Sequence, residues 1–279
     1  MLTRSMKLLE VLRFLILLGI ALIFLYPFAL MLGISFDNNA NFGLSFPPRV
    51  WPEDLGIRNY SLVFQSLPVV TYYLNSVIIV AGSVSCHLAG ATLAGYALSK
   101  GEFRGKRIWL LLILSAMMIP DQVIVFTRFL IFNEIQLVNT YTGVIIPTLA
   151  WPFGVFLVKQ FMDSLPGELA EAAKIDGAYH FTIFLKVYLP LTAPIVATMT
   201  IITVMQKWNE LLWPLLMLSK SSMYTISIGV ANFTLSQTGS MIIGNSLAFA
   251  ALTIIPTLVL FLFLQRYIVD SVASSGLKL

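Results

Sequence analysis

The sequence predicts an all-α integral membrane protein with six transmembrane helices and both termini in the cytoplasm. Three observations predict it. Of 279 residues, 58% are hydrophobic and 11% are charged, against roughly 25% charged in a typical soluble domain. The apolar excess is gathered into runs of about twenty residues, long enough as helix to cross a hydrocarbon core about 30 Å thick. The 17 basic residues cluster around the ends of those runs, unevenly between the two sides.

The spans fall at about 11–35, 69–98, 108–128, 141–161, 191–216 and 245–268. With the N-terminus inside, Arg4, Lys7, Arg13, Lys100, Arg104, Lys106, Arg107, Lys159, Lys174, Lys186, Arg266 and Lys278 face the cytoplasm. Only Arg49, Arg58, Arg128, Lys207 and Lys220 lie outside, twelve against five. The positive-inside rule sets the orientation accordingly. The first run follows basic residues as a secretory leader does, but it ends at "GISFDNN" without a small-x-small cleavage site and reads as a retained membrane helix.

Composition also excludes. The net charge of +4 is spread without a basic block, so nucleic acid is not a partner. The single cysteine, Cys86, rules out an intramolecular disulfide and any CxxC pair. His87 and His180 are far apart and no group of catalytic acids accompanies them, which argues against a membrane-bound enzyme of lipid or glycan metabolism. No GxxxxGK[ST] phosphate loop exists: "GEFRGKR" at 101–107 has three residues between its glycines, and Arg where Ser or Thr would hold magnesium.

The second span spaces Gly82, Cys86, Gly90 and Ala94 by four, which lets helix backbones approach closely. It reads first as a packing helix and second as a lining for substrate. His87 on it reads as a buried hydrogen-bonded side chain before a proton relay. The fourth span is interrupted by Pro147 and by "WPFG" from Trp151, and interrupted spans either line a pathway or reflect the ordinary frequency of membrane prolines. Asp121, Arg128, Lys207 and Glu210 sit at span ends, where ionisable groups face a cavity or a partner. Lys207 and Glu210, three apart, also suit pairing with each other. Trp208, Asn209 and Trp213 offer stacking faces and an amide to a sugar, and equally an interfacial anchor, the reading favoured for Trp213.

Between spans four and five lies a charged segment, 163–190, expected to form a cytoplasmic helix-turn-helix. Asp163 or Ser164 is the expected N-cap and Pro166 stands in the first turn. Leu165, Leu169, Ala172, Ala173 and Asp176 are expected on one face; Glu168, Glu171 and Ile175 lean to the other. Gly177 allows a turn with positive φ. A second helix runs from about Tyr179 to Tyr188, and Leu189-Pro190 breaks it. A lipid-resting helix favours a basic polar face. This one carries Glu168 and Glu171, so docking into a groove on another protein is the better fit.

Glu171, Ala172, Ala173, Gly177, Val187, Leu189 and Pro190 resemble the EAA signature of permease subunits of bacterial ABC importers, with Val187 where Ile is usual. "NSVIIV" from Asn75, "MIPDQV" from Met118, "LPGELAEAAKIDGA" from Leu165, "WNELLWPL" from Trp208 and "LQRYIVDSVASSGLKL" from Leu264 are similar to the shorter permease of maltose-type carbohydrate importers, in the binding-protein-dependent inner-membrane component family.

That resemblance implies a type I ABC importer permease fold in a multi-pass protein of the bacterial inner membrane. The whole chain, 1–279, would be one permease domain, with a core of five helices over about 69–268. It implies a second homologous permease, two ATP-binding subunits and an extracytoplasmic solute-binding protein as partners. A sugar or oligosaccharide would be the substrate, with no cofactor in this chain and ATP and magnesium in the ATPase. Glu168, Glu171, Ala172, Ala173, Asp176, Gly177, Leu189 and Pro190 would couple to the ATPase. The tail would touch it through Gly276 and Lys278, although Gly276-Leu277-Lys278-Leu279 departs from the usual Gly-x-Val-Lys-Gly ending. Asn232, Thr234, Gln237 and Thr238 would meet the binding protein. The substrate path is assigned to Asn75, Asp121, Trp151, Trp208, Asn209 and Glu210. The competing readings are a permease for a non-sugar solute such as glycerol phosphate and a stand-alone secondary transporter; no internal repeat supports the latter.

Overall fold

The computed structural model describes residues 2–42, 47–236 and 243–276. Among these residues the regular structure is helical, apart from an isolated antiparallel bridge between Asp37 and Leu55. In chain order the α-helices are α1 (Leu2–Ser35), α2 (Arg58–Ser66), α3 (Val69–Lys100), α4 (Lys106–Met117), α5 (Asp121–Glu134), α6 (Tyr141–Ile145), α7 (Pro152–Asp163), α8 (Glu168–Ile175), α9 (His180–Ile183), α10 (Leu189–Leu191), α11 (Ala193–Asn209), α12 (Leu212–Met217), α13 (Ile226–Ser236) and α14 (Ile243–Gly276). Two compact units result, Met1–Val69 with Gly229–Pro256 and Val70–Ile228 with Thr257–Leu279.

In the first unit the apolar stretch of α1, Leu9–Ser35, leaves most of its side chains open up to its last turn, as lipid permits and water does not. Where α1 ends, carbonyls need partners. Buried Asn59 on α2 donates to the carbonyls of Ser35 at 3.0 Å and Asp37 at 2.8 Å. It accepts from Asn41, which also donates to Asn245 at the start of α14. The Asp37 carboxylate takes backbone N–H groups from Asn39 and Glu53. Burial pushes its pKa up, but these bonds, with one from Asp54, outweigh burial and hold it below the usual carboxylate value.

The second unit is organised on α3. A Cβ at Gly82 would strike the Ile145 side chain, and one at Gly90 would strike the Leu149 carbonyl. The small residues of the second span therefore let α3 lie against the interrupted fourth span, which is the packing reading. Below this contact Ala91, Leu98, Val155, Val158, Met162, Ile183, Phe184, Tyr188 and Met199 form one buried core. A second core gathers Ile79, Val144, Trp213, Met217, Leu218 and Ile228.

Prolines revise the expected spans. The third, 108–128, is not one rod: α4 and α5 meet at 104° across Met118–Pro120, because Pro120 has no N–H and forces Ile119 from helical backbone. The fourth breaks where expected: a 3₁₀ turn Ile146–Leu149 holds Pro147, and Trp151 (φ −112°, ψ 89°) is non-helical before α7. The fifth, 191–216, is entered through a 75° bend and interrupted at Glu210, whose ψ of 124° is extended. Leu9–Ser35, Val69–Lys100 and Tyr141–Asp163 are each long and apolar enough to cross a membrane; the bent pairs Lys106–Met117 with Asp121–Glu134 and His180–Leu191 with Ala193–Asn209 pass jointly. The sixth expected span lies in α14, whose shorter apolar stretch is Ile243–Val259.

The 163–190 segment also differs in detail. Asp163 ends α7 and is not an N-cap, because its carboxylate accepts from Ser99 Oγ at 2.6 Å and from Lys159. The helix starts instead at Glu168, after Gly167. Leu165 therefore lies outside the helix, which shifts the phase of the expected face. Leu165, Ala170, Ala173 and Ala178 pack on the core, while Leu169, Ala172 and Asp176 are exposed. The second helix continues through a wide π-helical turn, Phe184–Tyr188, to Leu191, so the break comes at Thr192 rather than at Pro190. The wider turn accommodates a proline that cannot donate back to the preceding turn.

Candidate functional site

Two features of the second unit concentrate chemistry, a cavity and an exposed turn. The cavity, of about 800 Å³, opens where helices are broken: Trp151 comes from the break before α7, Asp121 from the bend before α5, Glu210 from the end of α11. Broken helices leave polar backbone and side chains at membrane depth only where a cavity or protein can satisfy them.

Its charges are paired. Lys207 Nζ lies 2.9 Å from Glu210 Oε2, with side chains 15% and 23% exposed, so the pairing foreseen from their spacing forms. Arg128 lies 3.4 Å from Asp121 and sits over the Trp213 ring, 4.7 Å from its centroid. His87 stacks on Trp151 at 4.4 Å and shares a 2.9 Å hydrogen bond with Thr203 Oγ1. This is the buried, bonded histidine that the sequence suggests first. Two cations and two carboxylates leave the cavity nearly neutral, with aromatic walls.

Of the expected path residues, Asp121, Trp151 and Glu210 line this cavity. Asn75, Trp208 and Asn209 are placed elsewhere. Asn75 donates to the carbonyls of Ser222 and Tyr224, at 3.0 and 2.9 Å, and accepts from Tyr141 Oη at 2.7 Å. Its amide is committed to stapling a loop. Trp208 is buried beside Tyr73, and Asn209 bonds the Met205 carbonyl of its own helix. Trp213 is no interfacial anchor: it is 3% exposed, edge-on to Phe132, and donates Nε1–H to the Val144 carbonyl at 3.3 Å. His87, already singled out on the second span, also lines the cavity, as do Thr148 and Gln206, whose sequence signal is only their nearness to helix breaks.

The second feature is the α8 to α9 turn. Glu168 and Glu171 occupy the first turn of α8, where the helix dipole favours carboxylates, and both are exposed. Gly177 ends the helix at φ +78°. Its N–H meets the Lys174 carbonyl at 3.0 Å and that of Ala178 meets Ala173 at 2.9 Å, the paired closure of a Schellman motif. On either side of it Ile175, Tyr179 and Phe181 stand 87%, 84% and 63% exposed. Ala173 and Leu189 are half-buried on the core side, and Pro190 is exposed. Asn232 and Thr234 lie on α13 and Gly276 ends α14. Gln237, Thr238 and Lys278 lie outside the described residues.

Apolar helices among the described residues, a cavity at their breaks and an exposed helical turn fit the membrane-embedded part of a transport system. Residues 42–274 match the family of binding-protein-dependent transport system inner membrane components, and the chain belongs to that family as an ABC transporter permease. It is 36% identical to an arabinooligosaccharides transport system permease protein of Halalkalibacterium halodurans, over 81% of each chain. A protein of the same description from Bacillus subtilis is 30% identical, over 93% of this chain and 92% of that one. An sn-glycerol-3-phosphate transport system permease protein of Yersinia pestis is 29% identical, over 93% and 94%. The fold matches a chain in the crystal structure of a bacterial ABC transporter involved in the import of the acidic polysaccharide alginate, with a TM-score of 0.81, 24% identity, and coverage of 95% of this chain and 98% of that one.

Proposed function

We propose that this chain crosses the bacterial cytoplasmic membrane six times with both termini inside and passes a sugar or oligosaccharide inward by alternating access. It works beside a second, homologous permease, two ATP-binding subunits that supply the energy, and an extracytoplasmic binding protein that delivers the solute. The observation that carries the reading is the exposed apolar turn Ile175–Phe181 set on the Gly177 Schellman closure. Large apolar side chains left in the open on a closed helical turn suit a docking surface. Glu168, Glu171, Ala172 and Asp176 extend it, and closure of the ATPase there tilts α7 and α11. Gly276 with Lys278 completes the ATPase contact, and Asn232, Thr234, Gln237 and Thr238 meet the binding protein.

The charge pairs support an uncharged sugar over a glycerol phosphate. An entering anion meets the Glu210 and Asp121 carboxylates beside each cation and is repelled by them, whereas sugar hydroxyls can donate to those carboxylates and accept from Lys207 and Arg128. Trp151 adds an apolar ring at the cavity wall.

The test is uptake into proteoliposomes holding the whole complex, with binding protein outside and ATP inside, for a neutral arabino-oligosaccharide and for sn-glycerol 3-phosphate. ATP-dependent uptake of the neutral oligosaccharide alone is the expected result. Uptake driven by a proton or sodium gradient without ATP contradicts the reading.

A further inference from the structure

The exposed turn is not held only by the two helices that flank it in sequence. The last turns of α3 grip it on both sides. Before the turn, Ser99 Oγ donates to Asp163 at 2.6 Å and Lys100 Nζ donates to the Leu165 carbonyl at 2.8 Å. After it, Tyr96 Oη donates to the His180 carbonyl at 3.2 Å, and the Tyr96 ring lies 5.1 and 5.6 Å from those of Phe184 and Tyr188. Lys100 also sits 5.2 Å from the centroid of the Tyr188 ring, which is fully buried. Lys106 closes the end of α3 by donating to the carbonyls of Ser99 and Gly101, at 2.9 and 3.0 Å.

The same helix reaches the cavity. Helix α3 is unbroken from Val69 to Lys100, so His87, which lines the cavity, stands about 14 Å along the axis from Tyr96 at 1.5 Å per residue. His87 stacks on Trp151 and bonds Thr203, on two other walls. A displacement of the turn that carries Tyr96, Ser99 and Lys100 with it therefore arrives at the cavity along a rigid rod. Of the flanking helices, α11 is entered only through a 75° bend, whereas α7 runs unbroken to Pro152 and Phe153 at the cavity wall and shares its core with Ala91 and Leu98 of α3.

From this geometry we infer that Tyr96, Ser99 and Lys100 are positioning residues that clamp the coupling turn to α3, and that α3 thereby passes its movement to the cavity alongside α7. The inference rests on the docking role proposed for the turn. The clamp touches the turn from the core side and leaves Ile175, Tyr179 and Phe181 uncovered. Loosening it separates transport from ATP hydrolysis without removing the docking surface.

The experiment uses the whole complex in liposomes with Tyr96→Phe, Ser99→Ala and Lys100→Met, singly and combined. The ATP-binding subunits co-purify as in wild type and stimulated ATP hydrolysis stays within about twofold, while solute delivered per ATP falls about fivefold or more in the triple variant, as loss of coupling between sites predicts. Lys100→Arg, which keeps a donor and a cation, retains most of the wild-type ratio. An unchanged ratio overturns the inference. So does parallel loss of ATPase binding, which would make the clamp a support for the shape of the turn only. If the triple variant fails to insert, Lys100→Met alone decides by the same ratio. Failure of the docking role itself is distinguishable, because wild-type chain would then not retain the ATP-binding subunits.

Discussion

Gly177→Val is expected to cut retention of the ATP-binding subunit, and with it ATP-driven uptake, by about tenfold, while Gly177→Asn stays within about threefold. A β-branched residue in left-handed backbone costs about 1–2 kcal/mol, and about 1.4 kcal/mol is tenfold in an equilibrium. A Cβ at Gly177 meets nothing within 4 Å, so the cost is conformational and not a clash. Asparagine tolerates positive φ and alanine does not, which orders the series Asn, Ala, Val. Gly177→Asp separates shape from surface. Its backbone tolerance resembles that of Asn, but it adds a carboxylate beside Asp176. A loss beyond that of Gly177→Asn, measured by co-purification of the ATPase, shows that the docked surface rejects further negative charge.

The second large effect is expected in the cavity. Lys207→Met leaves Glu210 without its cation and Glu210→Gln leaves Lys207 without its anion. Breaking one side of a buried pair typically costs about 3–5 kcal/mol. Because the two side chains keep 15% and 23% exposure, water offsets part of this, and about 2–3 kcal/mol is expected for each single variant. The double variant recovers most of the loss, since no unpaired charge is left. Thermal inactivation of the purified complex measures both. Glu210→Gln also releases a cation into the path, so sn-glycerol 3-phosphate becomes a competitor of oligosaccharide uptake in that variant and not in wild type.

The sequence makes legible whatever depends on neighbours along the chain. Apolar runs give the helices of α1, α3 and α14; the Lys207–Glu210 pair follows from a spacing of three; Gly177 follows from a helix that has to stop. Proline positions foretell the interruption around Trp151, but not that α4 and α5 turn by 104° at Pro120, because proline limits backbone angles without fixing the new direction. The α8 face is misread because Asp163 looks like an N-cap until Ser99, 64 residues away, is seen to occupy it. Asn75 resembles a path residue for the same reason. Its partners are 66, 147 and 149 residues distant, and only the fold reveals them. Trp213 is misplaced because nearness to a span end suggests an interface, whereas the break at Glu210 turns the chain so that the indole enters the core.

Docking of the ATP-binding subunit on the α8–α9 turn is tested by a photo-crosslink from Ile175→Cys, in a Cys86→Ala background, within the intact complex during ATP turnover. At 87% exposure, Ile175 is the most exposed large side chain of the turn. An adduct with the ATP-binding subunit, lost in Gly177→Val, is the expected result. An adduct with lipid only, or none, while ATP-driven uptake proceeds at its normal rate would contradict it.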